Sequence, residues 1–474
     1  MLLLLEKGTD KSPFCGVSGE NMQPFQEVLF RQDHPEFNRY CSGWNTRVVH
    51  QPDFIVAAGN GRHVQDAVRF AREHDLPIRV QATGHGALAA YRGGVLIDTS
   101  AITGIDIDPA RQTAVVGAGV RWQELLDAAQ PLGLVGLAGS SMPVGVVGYA
   151  LGGGAGWLAR RYGLCSDMID AAEITTADGV RRWVDAGSDP ELLWGLRGGG
   201  SNFGIVSALR LRMMPNPIVY AGAIYWPIAR ASEILSAYRD WVASVPPEMG
   251  TAVAFLQYPS MAPVPDPVRG KPVIALRVCH PGTAADATAA LAPMKNIPGA
   301  VLDTTRSMPF REIGGVTMDS PMHLPRIGYS ESLRGISDEM INGLPEILKP
   351  GAPYLAMELR HAEAGVAQPP SGHEGMGYWQ SPFLFFGMSV TPDPETEMRA
   401  KHLGDQLDQL FASDTTGTNA FTFLLAQHTP AGAGDVARVR KVFSEPHYAR
   451  LAELKKKLDP TNLMGSDRNI PPSA

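Results

Sequence analysis

Apolar positions along the chain fall into two periods, and the change from one to the other marks the elements. Val64, Ala67, Val68 and Ala71 recur at i, i+3, i+4 and i+7, the spacing of a helix with one buried face. Asn60 stands where an N-cap belongs, so a helix is predicted over 60–74. A strand is expected next, from Leu76 to Val80, and another over 95–98. Residues 105–107 and 114–116 read as a hairpin closed near Pro109. An amphipathic helix covers 122–129 and stops before Pro131. Residues 173–176 and 181–184 flank Asp178-Gly179, a strong hairpin signal. A short helix over 191–196 leads through a glycine-rich turn to a strand at 205–212, which Pro215 and Pro217 end.

Beyond Pro217 the character changes. Strand-like runs at 273–278, 354–359 and 383–386 alternate with helical patterns at 283–294, 337–348 and 395–412, without glycine clusters. This suggests an α+β domain with a largely antiparallel sheet covered by helices. Pro-rich segments at 262–267 and 368–370 read as loops. A helix over 446–458 precedes Asp459-Pro460-Thr461-Asn462-Leu463-Met464, so the tail is expected to dock. The division that follows is 22–217, 218–420 and a returning segment 421–474. Residues 1–21 read either as a disordered leader or as an upstream extension of a chain starting near Met22.

Composition narrows the class. At 474 residues the chain is long enough for two cores, and 44% hydrophobic content can fill them. Net charge is −7 with signs interspersed, and no basic stripe points to nucleic acid. No apolar segment has the 18 or so residues a membrane span needs. The opening leucine run has no basic residue before it and is too short for a signal peptide, so a cytoplasmic location is expected. Cys15, Cys41, Cys165 and Cys279 are scattered, with no metal-ligand spacing.

Two stretches carry candidate chemistry. Thr83-Gly84-His85-Gly86-Ala87 leaves a predicted strand with backbone N–H groups exposed and little side chain in the way. Such a turn can cradle a phosphate, and Gly84 and Gly86 admit a flat ligand. Alone it is more often a strand-end turn with a solvated histidine. The second stretch, 133–156, is dense in glycine and free of charge, so backbone there passes close to something flat or to other backbone. Its Gly152-Gly153-Gly154-Ala155-Gly156 run is not a dinucleotide fingerprint, because no strand precedes it and no acidic residue sits at the ribose spacing.

The glycine-flanked His85, the 133–156 stretch, Arg197-Gly198-Gly199-Gly200-Ser201-Asn202-Phe203-Gly204-Ile205-Val206 and the closing Asp459–Met464 motif occur in this order. Together they resemble FAD-linked oxidases of the vanillyl-alcohol oxidase (PCMH-type) fold, most closely the berberine-bridge-enzyme-like branch. The resemblance is good over 40–215 and 440–472 and weak across 220–420. It implies a two-part FAD domain and a substrate domain whose sheet lies over the flavin ring. It places His85 at the position bonded covalently to FAD, as a single histidyl link. It assigns cofactor contacts to Thr83, Gly84, Gly86, Ala87, Gly139, Ser140, Val144, Gly145, Gly148, Tyr149, Gly154, Gly204, Ile205, Val206 and Asn462.

Three departures matter. Gly145 stands where many relatives have a second flavin-bonded cysteine, and Tyr149 where they have a histidine. Gln81 replaces an arginine at the start of the turn. The Tyr-x-Asn base of relatives has no counterpart in Phe421-Thr422-Phe423-Leu424. The base is therefore expected among Tyr149, Tyr378 and Glu358. Against these stand bland readings: Tyr149 packs on the cofactor, Tyr378 fills core, and Glu358 pairs with Arg360 or His361. The implied reaction passes a hydride from an alcohol, sugar or natural-product intermediate to the flavin, with O2 as acceptor. A NADPH-fed reductase and a non-catalytic flavin- or ligand-binding protein are the alternatives. The first would oxidise NADPH, and flavin bleaching by any substrate excludes the second.

Overall fold

The computed structural model describes residues 24–215, 218–320, 322–368, 378–379, 381–417 and 433–473. Segment 1–21 and residues 421–424 lie outside them.

The first sheet has four strands, in the order Leu29–Arg31, Phe54–Ala57, Val95–Asp98, Ile78–Gln81. The last three run parallel. The helix Gly61–Glu73 covers this sheet, with Asn60 accepting from the His63 N–H as its cap. Its apolar stripe Val64, Ala67, Val68 and Ala71 is fully buried. A second, antiparallel sheet of five strands follows, ordered Ile105–Asp108, Thr113–Gly117, Ile205–Arg212, Ile169–Thr175, Arg181–Asp185. Its Asp178-Gly179 turn forms as expected, with Gly179 at φ +77°.

The segment after residue 217 builds an eight-stranded antiparallel sheet. Seven strands run in the order Leu302–Asp303, Ile218–Pro227, Pro272–His280, Gly250–Gln257, Ala356–His361, Phe383–Val390, Arg326–Leu333, and Arg306–Pro309 pairs with Ile218–Pro227. Helices Ala231–Val242, Ala284–Lys295, Asp338–Ile347 and Pro394–Phe411 pack on one face around Trp226, Tyr238, Phe255, Phe385 and Phe411. The other face turns toward the first two sheets. Its register is what builds the site: Ala252 pairs with Arg277 on one side and Arg360 on the other, and Ala254 pairs with Glu358.

The chain then returns. Helix Glu445–Leu458 packs on Pro190–Leu196 and Gly200–Phe203. Lys455 is fully buried and donates from Nζ to Asp459 Oδ2 (2.6 Å), Asn202 O (2.8 Å) and Met464 O (3.0 Å). Asp459 also accepts from the Leu463 and Met464 N–H groups. Buried ions need partners, and this pair has a complete set. Met464 bridges to Ile78, so the tail ends against the strand that leads to His85.

Candidate active site

His85 sits on a turn fixed from three sides. Gly84 has φ +64°, and a Cβ there would lie 2.6 Å from the Cα of Gly43. Only glycine allows that approach. The Trp44 N–H donates to Thr83 O (2.9 Å), and the Trp44 ring stacks on His85 with centroids 5.1 Å apart. The tail closes the third side: Leu88 N–H donates to Asp467 Oδ2 (2.9 Å), and Arg468 Nη1 donates to Gly86 O (3.0 Å). Gln81 supports the base of the turn. The Tyr91 N–H donates to His50 Nδ1 (3.0 Å), so His50 Nε2 carries the proton and donates to Gln81 Oε1 (3.0 Å).

The His85 imidazole keeps some accessible surface, yet protein crowds it on every side, as in a deep cleft. Desolvation, then the nearby Arg326 and His323, push its pKa down to about 3. The ring is neutral at neutral pH, and its buried Nδ1 has no hydrogen-bond partner among the described residues.

Opposite lies the glycine-rich stretch. Within the helix Val146–Leu151, Gly148 is exposed while its neighbours are buried, and a Cβ on it would meet nothing within 4 Å. A Cβ on Gly86 would meet only the Arg468 guanidinium, at 3.8 Å. A Cβ on Gly145 would lie 3.5 Å from the Thr83 methyl. Gly86 and Gly148 thus each leave room where a side chain would stand, and Gly145 packs beside Thr83.

At four other glycines protein packing by itself requires glycine. A Cβ on Gly154 (φ +73°) or Gly139 would lie 2.5 or 2.9 Å from the Tyr149 ring. On Gly204 it would lie 2.6 Å from Thr175 O, and Gly84 abuts Gly43. The side chains of Ile205 and Val206 are buried in two cores. The Ala87 N–H donates to Gly84 O (3.4 Å), within the turn itself. Val144 is half-buried, and its carbonyl accepts from the Trp122 N–H (3.0 Å). Asn462 adopts φ +55°, and its buried Oδ1 has no partner among the described residues.

The large sheet forms the roof. Thr317 Oγ1 donates to Ser140 O (2.8 Å), and Arg360 Nη2 reaches Ser140 Oγ (3.4 Å). Arg360 lies between the rings of Trp157 (4.8 Å) and Phe386 (4.9 Å). Arg326 lies over Trp44 (5.8 Å). Burial pulls the Arg326 pKa down to about 10, with Asp319 opposing the shift.

None of the three expected bases presents a free basic atom. Tyr149 is wedged edge-on against Trp122 (5.5 Å), and burial pushes its phenol well above its usual pKa. Tyr378 donates to Asp167 Oδ1 (2.6 Å), where burial and that carboxylate also push it up. Glu358 is buried between Arg277 (2.5 Å) and Arg360 (2.6 Å). Burial would raise its carboxyl, but the two guanidiniums outweigh that and hold it below the usual range. Its expected partner Arg360 is present, while His361 instead meets Glu363 and Arg160. The hydrophobic pattern carried no signal for Trp44, Arg277 or Arg326, which converge only in the folded chain.

The two smaller sheets, the tail strapped across the His85 turn and the large sheet roofing the cleft form the PCMH-type FAD oxidase fold. Residues 52–185 match the FAD binding domain family. The chain is 27% identical to (R)-6-hydroxynicotine oxidase of Paenarthrobacter nicotinovorans over 465 residues, 94% of this chain and 96% of that one. Among solved structures it is similar to 6-hydroxy-D-nicotine oxidase from Arthrobacter nicotinovorans (TM-score 0.81, 23% identity, 94% and 98% of the two chains). It is also similar to the berberine-bridge-enzyme-like protein 1 of Physcomitrella patens (TM-score 0.80, 19% identity, 95% and 100% covered). The protein is an FAD-linked oxidoreductase. The orphaned His85 Nδ1 and Asn462 Oδ1, and the open face at Gly148, fit a flat cofactor with polar edges. Among the described residues no helix is long and apolar enough to cross a membrane.

Proposed function

We propose that the protein oxidises a small alcohol, amine or sugar-like molecule, with FAD attached through His85 and O2 as electron acceptor. One observation carries the reading: a neutral histidine on a glycine-flanked turn has a ring nitrogen with no hydrogen-bond partner among the described residues. FAD, when bound, supplies the two-electron chemistry. The chain's own residues orient and enclose it. Trp44 fixes the His85 ring plane, and a neutral imidazole keeps a lone pair available for a carbon bond. Thr83, Gly86, Ala87, Ser140, Val144, Gly145, Gly148, Ile205, Val206 and Asn462 are taken to border the cofactor, mainly through backbone groups. Phe386 and Met388, both half-buried on the roof, favour a substrate with an apolar face.

A single link is favoured. Gly145 has no thiol, and the buried Cys165 has its thiol pushed far above its usual pKa by burial and by Asp167, so it forms no thiolate. Acid precipitation of the purified protein should leave flavin fluorescence on the polypeptide, and His85→Ala should release it. Anaerobic bleaching by a panel of amines, alcohols and sugars, with peroxide formed on adding air, tests the oxidase reading. Colour lost wholly to the supernatant refutes the link, and no bleaching by any panel member refutes the activity.

A further inference from the structure

One carboxylate follows a backbone turn that is fixed from several sides. The short helix Gly314–Thr317 crosses from the large sheet to the glycine-rich loop. It approaches closely enough that a Cβ on Gly314 would lie 2.8 Å from Met142 Cγ. Thr317 anchors its C-terminal end twice: its Oγ1 donates to Ser140 O (2.8 Å), and its carbonyl accepts from Arg277 Nη2 (3.0 Å). The next residue, Met318, adopts a left-handed backbone at φ 52°, ψ 46°. Residues other than glycine rarely adopt that conformation, and it persists only where the surroundings impose it. Met318 turns its side chain into the cluster around Tyr225 and Ala275. The chain thereby delivers Asp319 beside the loop that borders the flavin space.

Asp319 differs from every other acid in the cleft. It is exposed, and Ser141, Arg277, Glu358 and Arg326 act on its charge. Among the described residues it forms no ion pair, because Arg277 is already committed to Glu358 at 2.5 Å. Among the described residues the Arg326 guanidinium donates to Met388 Sδ (3.8 Å), and its backbone N–H donates to Asn45 Oδ1 (3.1 Å). Arg326 also acts on His85, so Asp319 and the flavin-bonding position share one neighbour. Crowding by protein, with Glu358 adding, raises the Asp319 carboxyl above its usual pKa, although Arg277, Ser141 and Arg326 oppose the rise.

We propose that Asp319 is the proton acceptor of the reaction. The proposal rests on the oxidase reading for its substrate step. In a substrate H–C–X–H, with X oxygen or nitrogen, the X–H bond breaks and its proton passes to an Asp319 carboxylate oxygen. The electron pair left on X forms the C=X bond. The C–H bond breaks, and its hydrogen would leave with both electrons to FAD, which, when bound, would supply the two-electron acceptor. Asp319 ends as the neutral acid and later loses the proton to water. A carboxylate with a raised pKa is a stronger base than an ordinary one. The Ser141 hydrogen bond aims it from the cofactor loop.

The test uses holoprotein of the wild type, Asp319→Asn and Asp319→Glu, all with flavin bound. Flavin absorbance is titrated from pH 4 to 9 without substrate. Anaerobic bleaching is then timed with a fixed panel of (R)-6-hydroxynicotine, benzyl alcohol and glucose. The wild-type spectrum should shift with a midpoint above about 4, the ordinary carboxylate value. Asp319→Asn should lack that shift and bleach about 100-fold more slowly, the usual lower range for losing a general base. Asp319→Glu should recover part of the rate. A shift that persists in Asp319→Asn, or bleaching within threefold of wild type, overturns the proposal. If wild type is bleached by no panel member, the oxidase reading fails; the spectral comparison then decides Asp319 alone, its loss in Asp319→Asn supporting the placement and its persistence refuting it.

Discussion

Replacing Glu358 by glutamine should destabilise the protein by about 3–5 kcal/mol, the usual cost of breaking a buried ion set by removing one partner. Glu358 is 3% exposed, with Arg277 Nη1 at 2.5 Å and Arg360 Nη2 at 2.6 Å. At an effective dielectric of about 20, one unit pair near 4 Å is worth roughly 4 kcal/mol. Two such attractions, less the cost of burying the carboxylate, bring the loss into the same range. Glutamine keeps the shape and one acceptor but leaves two buried guanidiniums without a counter-charge. For a folding unit of 150–250 residues each kcal/mol moves Tm by about 2–4 °C, so a fall on the order of 10 °C is expected at pH 7.5. The folded carboxyl lies below its unfolded value, so its stabilisation is full above about pH 4.3 and fades as pH falls through the lower folded pKa. Tryptophan fluorescence melts of wild type and Glu358→Gln, repeated down to pH 3.5, measure both effects. In Arg277→Met/Glu358→Gln the loss should be smaller than the sum of the single changes. A Tm change under 2 °C at pH 7.5, or a gap that widens as pH falls, would refute the reasoning.

Tyr149→Phe removes a buried hydroxyl that has no partner among the described residues, so Tm should hold or rise and flavin reduction stay within twofold; a tenfold slower reduction would mean that the phenol acts. Gly154→Ala places a methyl 2.5 Å from the Tyr149 ring at φ +73°, and should cost about 1–3 kcal/mol and lower flavin occupancy, read from the ratio of visible to ultraviolet absorbance. Lys455→Met strands Asp459 in a fully buried position and should loosen the tail, seen as faster proteolysis near residues 459–464 together with a lower Tm. His361 has its pKa lowered to about 4 by burial and Arg160, against about 6.5 when unfolded. Stability should therefore drop as pH falls from 6.5 toward 4, and urea midpoints of His361→Gln should drop less over that window.

Much of the fold was legible along the chain because local period and turn chemistry agree with it. The stripe of Val64 to Ala71 with its Asn60 cap became the helix Gly61–Glu73, and Asp178-Gly179 became a hairpin. The helical patterns at 283–294, 337–348 and 395–412 became Ala284–Lys295, Asp338–Ile347 and Pro394–Phe411. His85 stood out because glycines isolate it. The site's wiring was not legible. Gly84, Gly139, Gly154 and Gly204 look alike in sequence to Gly86 and Gly148, but only the fold shows which face protein and which face open space. Arg277, Glu358 and Arg360 become one ion set only through the register of three strands far apart in the chain. Asp319 reaches the cleft because Met318 turns the backbone left-handed against a loop some 180 residues away, as the Thr317–Ser140 hydrogen bond records. Local spacing determines which residues form a turn or a buried stripe. Which charges share a cavity, and what their pKa values become, depends on desolvation and on distances that only tertiary packing sets.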